Sequence, residues 1–240
     1  MSTGSPAKRR SCPQCGCKFR FSAPQSPWHK SANHRDSCFP QTRGLLIEFQ
    51  RRHHNCRKLE TVPGDGNQND NRPQNINLFW LVDPLDGTKE FIKKNGEFTV
   101  NIALVKNKKP IYGIIFKPVT RELYYTENKF SYYTKLNQNY NLTKKIKIKT
   151  KKRKIKILVL SRSHTRNNDL ILKKFNANKI IQTGSSIKLC LIANGTANIY
   201  PRLGTTMEWD IAAGDAILRK AGGRIKTLDG KILKYGKKKF

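Results

Sequence analysis

The chain is poor in acidic residues: 16 Asp and Glu stand against 48 Lys and Arg in 240 residues, a formal net charge of +32. It also lacks any apolar run near the roughly 18 residues that a membrane-crossing helix needs, which argues against a helical membrane protein. Its first residues show no apolar core of a secretory signal. The chain is therefore expected to be soluble and cytoplasmic, with peripheral contact at the cytoplasmic face of the inner membrane as an alternative placement. Cysteine is nearly missing beyond residue 56: five of the six lie at or before that point, and only Cys190 follows. A disulfide framework is disfavoured in such a compartment. Apolar residues are few at 37%, but 16 glycines close much of the gap to the usual range of about 45–50%, so a globular chain is expected.

Isoleucine is the next shortage, and it is local. Up to Asn75 there is one, Ile47, and arginine outnumbers lysine nine to four; from Ile76 onward lysine outnumbers arginine 28 to 7. Residues 1–75 also lack hydrophobic period, Leu45–Phe49 being their one apolar cluster. They read as an atypical segment: either a disordered or metal-clamped arm, or a stretch foreign to the coding frame of the rest. Residues 76–240 read as one domain, with a β-rich half over 76–150 and an α/β half over 151–240. Cys12, Cys15 and Cys17 look like a single zinc knuckle. A structural zinc usually takes two such pairs, and no second Cys-x-x-Cys follows, so zinc and free thiols both stay open.

What is present beyond residue 76 is readily divided. Leu78–Val82 reads as an apolar strand ending at Asp83. Phe98–Val105 and Ile111–Phe116 read as a hairpin turning through 106–110, followed by strands at Glu122–Thr126 and Lys154–Leu160. Helices are expected at Asp169–Phe175, at Ser186–Ala193 and at Trp209–Ala221, the last two closed by glycine. Strands that precede and interleave with helices indicate an α/β or α+β class.

The strongest motif is Asp83-Pro84-Leu85-Asp86-Gly87-Thr88. A strand delivers two carboxylates into a turn that proline stiffens and glycine keeps open to a ligand. Two carboxylates and an intervening carbonyl suit a hard cation such as Mg2+. An Asx turn before a helix would explain Asp86-Gly87 alone. A second element, Trp209-Asp210 with Gly222-Gly223 downstream, adds a carboxylate in the first turn of a helix. By itself that residue would be an ordinary helix-dipole partner.

Taken together, these stretches resemble the inositol monophosphatase superfamily of Mg2+-dependent, lithium-sensitive phosphatases. Asp83–Leu104, Ser161–His164, Gly184–Lys188 and Tyr200–Arg202 are similar, more narrowly, to the bacterial 3′(2′),5′-bisphosphate nucleotidases, and Lys89-Glu90-Phe91 separates them from plain inositol phosphatases. The resemblance implies a layered α/β (α+β) sandwich of the inositol monophosphatase and fructose-1,6-bisphosphatase type, with its N-terminal helical part missing or atypical. It implies hydrolysis of adenosine 3′,5′-bisphosphate to AMP and phosphate, a step that serves sulfate assimilation, on two or more Mg2+ ions. Asp83 would bridge two ions, the Leu85 carbonyl would bind the first, and Asp86 and Asp210 would bind the second. Gly87 and Thr88 would contact phosphate, with Thr88 also orienting the attacking water. Beside these roles, Lys188 and Arg202 are candidates to meet the second phosphate, since Arg binds phosphate bidentately and Lys as a point charge, and the alternative reading makes them solvated surface cations. The family's upstream Glu-Glu pair and Ala-Asp element are not legible, and Glu60 is the candidate for the missing ligand. Alternative readings are an inositol-phosphate phosphatase, a catalytically impaired truncated homologue, and a basic binding protein with a zinc-clamped arm.

The basic excess itself points to no nucleic-acid partner. Lys144–Lys156 holds nine basic residues in thirteen, broken by Ile146, Ile148 and Ile155 without aromatic interleaving. That alternation suits an edge strand guarded by lysines. The expected partner is a small phosphorylated nucleotide.

Overall fold

The structure, a computed structural model, describes residues 77–236 apart from 153, 163–167 and 203, together with four short earlier strands. The readings placed on Glu60 and on Cys12, Cys15 and Cys17, and the second half of the Ser161–His164 stretch, lie outside these residues. Three of the early strands, Arg10–Ser11 (β1), Lys18–Phe21 (β2) and Ile47–Gln50 (β3), form a small antiparallel sheet of their own. The fourth, Thr61–Val62 (β4), pairs in parallel with Leu78–Asp86 (β5).

From β5 the chain builds a sheet by antiparallel steps through Thr99–Lys106 (β6), Lys109–Lys117 (β7), Glu122–Glu127 (β8), Phe130–Lys135 (β9) and Ile146–Ile148 (β10). These segments are rich in the β-branched and aromatic residues that pack well on a pleated surface. The β6–β7 hairpin turns at Asn107 and Lys108, both at positive φ (49° and 61°), the conformation whose twist matches a two-residue turn. Pro110, expected in that turn, lies inside β7 opposite Val105, where the register is irregular. The lysine-rich stretch supplies β10 at the sheet edge. There Ile148 is buried, while the Lys147 and Lys145 ammonium groups lie over the rings of Phe130 and Tyr132, 3.1 and 3.8 Å from their centroids.

Ile157–Ser161 (β11) and Lys179–Thr183 (β12) form a second, parallel pair connected through Asn168–Phe175 (α2). Between this pair and the large sheet lie Ile187–Ala193 (α3) and Glu208–Lys220 (α4). Helix α3 contacts β11 and α4, and α4 crosses β5, β6 and β7. Trp209, Ala212, Ala213, Ala216 and Ile217 are buried along α4 at helical spacing and meet the large sheet's inward face. The small residues bring the helix backbone very close: a Cβ on Gly113 of β7 would lie 2.4 Å from the Ala213 carbonyl oxygen. The helix ends as the Gly222-Gly223 pair indicates. Gly223 donates to Leu218 O at 2.8 Å and Gly222 to Arg219 O at 3.1 Å, with Gly222 at φ 94°. The result is a layered α/β arrangement. No helix among the described residues is long and apolar enough to cross a membrane.

Candidate active site

The large sheet carries its main irregularity where chemistry is expected. β5 runs past Asp83 to Asp86, and its pairing with β6 moves from Asp83↔Asn101 to Asp86↔Thr99. Three steps on one strand thus face two on the other, which is a one-residue bulge. In a regular strand, residues three apart point to opposite faces. The bulge cancels that alternation and lets both carboxylates serve one site. Asp210 arrives from the first turn of α4, and the three side chains offer oxygens that all lie within 4.8 Å of one another.

Like charges so close need support, and each carboxylate has one oxygen held by the protein. Asp83 Oδ1 accepts from Leu85 N–H at 3.0 Å. Asp210 Oδ2 accepts from the Thr206 hydroxyl at 3.0 Å and from Met207 N–H at 3.2 Å, closing the start of α4. Asp86 Oδ2 accepts from Ser186 N–H at 2.6 Å and lies 2.7 Å from Ser186 Oγ; Asn101 Nδ2 donates to it at 3.1 Å. The second oxygen of each takes no hydrogen bond from the described residues. Burial first, then the charge of Asp86, and last that of Asp210, push the Asp83 carboxyl up to about 7, against the pull of the Leu85 N–H. Burial and Asp86 likewise raise Asp210. Three converging carboxylates, each with an uncommitted oxygen, fit a hard divalent cation, which would relieve their repulsion.

Beside the cluster is a cavity of about 190 Å³, lined by Asp86, Gly87, Thr88, Lys188, Arg202 and Asp210 among others. Gly87 initiates Thr88–Ile92 (α1) at φ 93°, a left-handed conformation that a side chain would strain. Thr88 is exposed, and its hydroxyl donates to Leu85 O at 3.4 Å. Lys188 of α3 is only 4% exposed; its Nζ donates to Thr183 O at 3.4 Å and lies 5.5 Å from the Tyr200 ring centroid. Burial lowers its pKa to about 8; Arg202 adds to the effect, while Asp86, Glu90 and Glu97 oppose it. Arg202 is exposed and donates to Thr205 O at 2.7 Å and Tyr200 Oη at 3.3 Å. Asp83, Leu85, Asp86, Gly87, Thr88, Lys188, Asp210 and Arg202 thus gather around one cluster and its cavity. Glu60 stays outside the described residues.

A family model for the inositol monophosphatase family matches residues 56–240. The chain belongs to that family. It is 48% identical over 167 residues to the 3′(2′),5′-bisphosphate nucleotidase CysQ of Buchnera aphidicola, covering 68% of this chain and 60% of that protein. It is 41% identical over 166 residues to CysQ of Escherichia coli, covering 68% of this chain and 64% of that protein. The crystal structure of CysQ from Bacteroides thetaiotaomicron superposes with a TM-score of 0.65 at 39% identity, over 75% of this chain and 72% of that one. The chain therefore spans less than two thirds of the length of these curated relatives.

Within this inositol monophosphatase fold, the residues that brace Asp86 and its neighbours belong to no sequence motif of their own. Thr99 and Asn101 are 0% and 1% exposed, polar residues inside the apolar run of β6, and that contrast is the signal that marks them. Glu97 accepts from Arg162 Nε and Nη2 at 2.9 and 2.7 Å and from Gly184 N–H at 2.8 Å, which braces the loop leading to Ser186. A lone Glu and a lone Arg, 65 positions apart, give no local sign of that pairing.

Proposed function

We propose that this chain hydrolyses the 3′-phosphate of adenosine 3′,5′-bisphosphate, with Mg2+ ions held by Asp83, Leu85 O, Asp86 and Asp210. The observation that carries the reading is the pairing, in one cavity, of the carboxylate cluster with Lys188 and Arg202: a cation seat beside two protein cations matches a substrate with two phosphates. A monophosphorylated inositol would leave those two cations without a counter-charge, which ranks that reading second. Bound Mg2+ would supply Lewis-acid polarisation and a more acidic water. Arg202 would present a planar fork and Lys188 a point charge to the non-reacting phosphate. The Gly87 and Thr88 backbone would meet the reacting one, and Thr88 would orient the water whose oxygen bonds to phosphorus as the bond to O3′ breaks. Phosphoryl transfer asks for little beyond such positioning and charge. In this reading the family-matched residues 56–240 act on a small nucleotide in the cytoplasm.

Phosphate release from adenosine 3′,5′-bisphosphate with Mg2+, in the presence and absence of Li+, tests this. The expected result is Mg2+-dependent release that Li+ inhibits and that Asp86→Asn or Asp210→Asn abolishes with the fold intact. No release at high concentrations of folded protein would overturn the assignment, and near-wild-type rates in either variant would overturn the metal ligands.

A further inference from the structure

Ser186 sits immediately before α3 and touches both carboxylate-bearing elements. Its N–H donates to Asp86 Oδ2 at 2.6 Å. Its Oγ lies 2.7 Å from Asp86 Oδ2 on the bulge of β5 and 2.7 Å from the Asp210 carbonyl oxygen in α4. Asn101 Nδ2 donates to the same Oγ at 2.9 Å, and Thr99 Oγ1 donates to Asn101 Oδ1 at 3.0 Å. Ser186 is 4% exposed, so water competes little for these bonds. A hydroxyl has one hydrogen and two lone pairs. With Asn101 donating to it, Ser186 Oγ gives its hydrogen to Asp86 or to Asp210 O, and either choice links β6 through α3 to a metal-bearing element.

We propose that Ser186 is a positioning residue for cation binding: it occupies Asp86 Oδ2, leaves Oδ1 for a cation, and sets the spacing between the β5 bulge and the first turn of α4. The inference rests on the reading of Asp83, Asp86 and Asp210 as a metal site. Partners that hold a liganding carboxylate in this way commonly change metal affinity by about 10–100-fold when removed. The backbone N–H of Ser186 survives substitution, so loss of the hydroxyl isolates the Oγ contribution.

The experiment is calorimetric titration of the full chain with Mg2+ alone, without substrate, for wild type, Ser186→Ala and Asp210→Asn, alongside the melting of each metal-free protein. The expected result is that Ser186→Ala weakens Mg2+ binding by about 10-fold or more while its metal-free melting stays near wild type, a pattern that a packing role alone would not produce. Equal Mg2+ affinity in Ser186→Ala and wild type, with Asp210→Asn clearly weakened, overturns the role of Ser186 and leaves the metal site standing. Mg2+ binding that is absent from wild type, or unchanged in Asp210→Asn, overturns the metal-site reading and this inference with it. If Ser186→Ala loses cooperative melting, Ser186→Cys, which keeps the volume but only a weak donor, provides the same comparison.

Discussion

Lys188 shows what a single residue contributes. An ammonium on an exposed helix face would be one of many lysines here. Buried between α3 and Tyr200, with a carbonyl as its hydrogen-bond partner, it has poor solvation and a pKa lowered to about 8. In the folded state it therefore loses its proton more readily than in the unfolded chain. The cost of burying the charge is present below pH 8 and fades as pH rises toward the ordinary lysine value, so the ligand-free protein gains stability from this group over that window. Binding runs the other way, since a phosphate needs the charged form. Asp86, Glu90, Glu97 and Arg202 are the charges that act on it. Lys188→Ala is expected to raise KM for adenosine 3′,5′-bisphosphate by about tenfold or more, roughly 1.4 kcal/mol, and to leave a monophosphate substrate nearly unaffected. In the wild type, KM should climb as pH passes through 8. Steady-state kinetics on both substrates across pH measures this, and equal losses on the two would remove Lys188 from the second-phosphate seat.

Among the elements, β5 and α4 decide the site, and they were unequally legible. Helix α4 is legible almost to its ends, because its apolar spacing, Asp210 near its start and Gly222-Gly223 after it are local signals. In sequence, β5 stops at Asp83, since an Asp-Pro-Leu-Asp stretch breaks the apolar run. Its continuation through a bulge depends on pairing with Thr99 and Asn101, which hydrophobic period cannot reveal. The sequence expectations hold no strand at β9 or β12; β12 is only half-buried along most of its length and forms by pairing with β11. The seat of α4 on β7 rests on Gly113. Gly113→Ala would press a methyl into the Ala213 carbonyl, which has no flexible end to swing away. The expected cost is about 1–3 kcal/mol, as for other overpacked cores, visible as a lower denaturant midpoint. A midpoint equal to wild type would show that the helix can move off the sheet freely.

For the molecule as a whole, the basic excess acts as a field. With +32 formal charges, self-repulsion works against the compact state and attraction favours anionic ligands. Raising ionic strength from low to physiological shortens the Debye length from about 30 to about 8 Å. Two opposite responses are expected: the melting temperature rises as repulsion is screened, and kcat/KM for the bisphosphate falls several-fold while kcat holds. Thermal melts and kinetics over a salt series measure both. A salt-independent kcat/KM would mean that the field does not steer the substrate.

Local chemistry was enough to mark the strand ending in paired carboxylates, the helix bearing Asp210, the glycine closures, the lysine-guarded edge and the family these motifs resemble. Each is written in a few adjacent residues, where backbone preference and hydrophobic spacing operate. Only the tertiary structure decided that Asp83, Asp86 and Asp210 share 4.8 Å of space, that Lys188 is buried, and that Ser186 joins Asp86 across 100 positions of chain. Those facts come from packing α3 and α4 against a bulged sheet. The separation of side chains distant in sequence is set by the whole core, and no segment of the sequence specifies it alone.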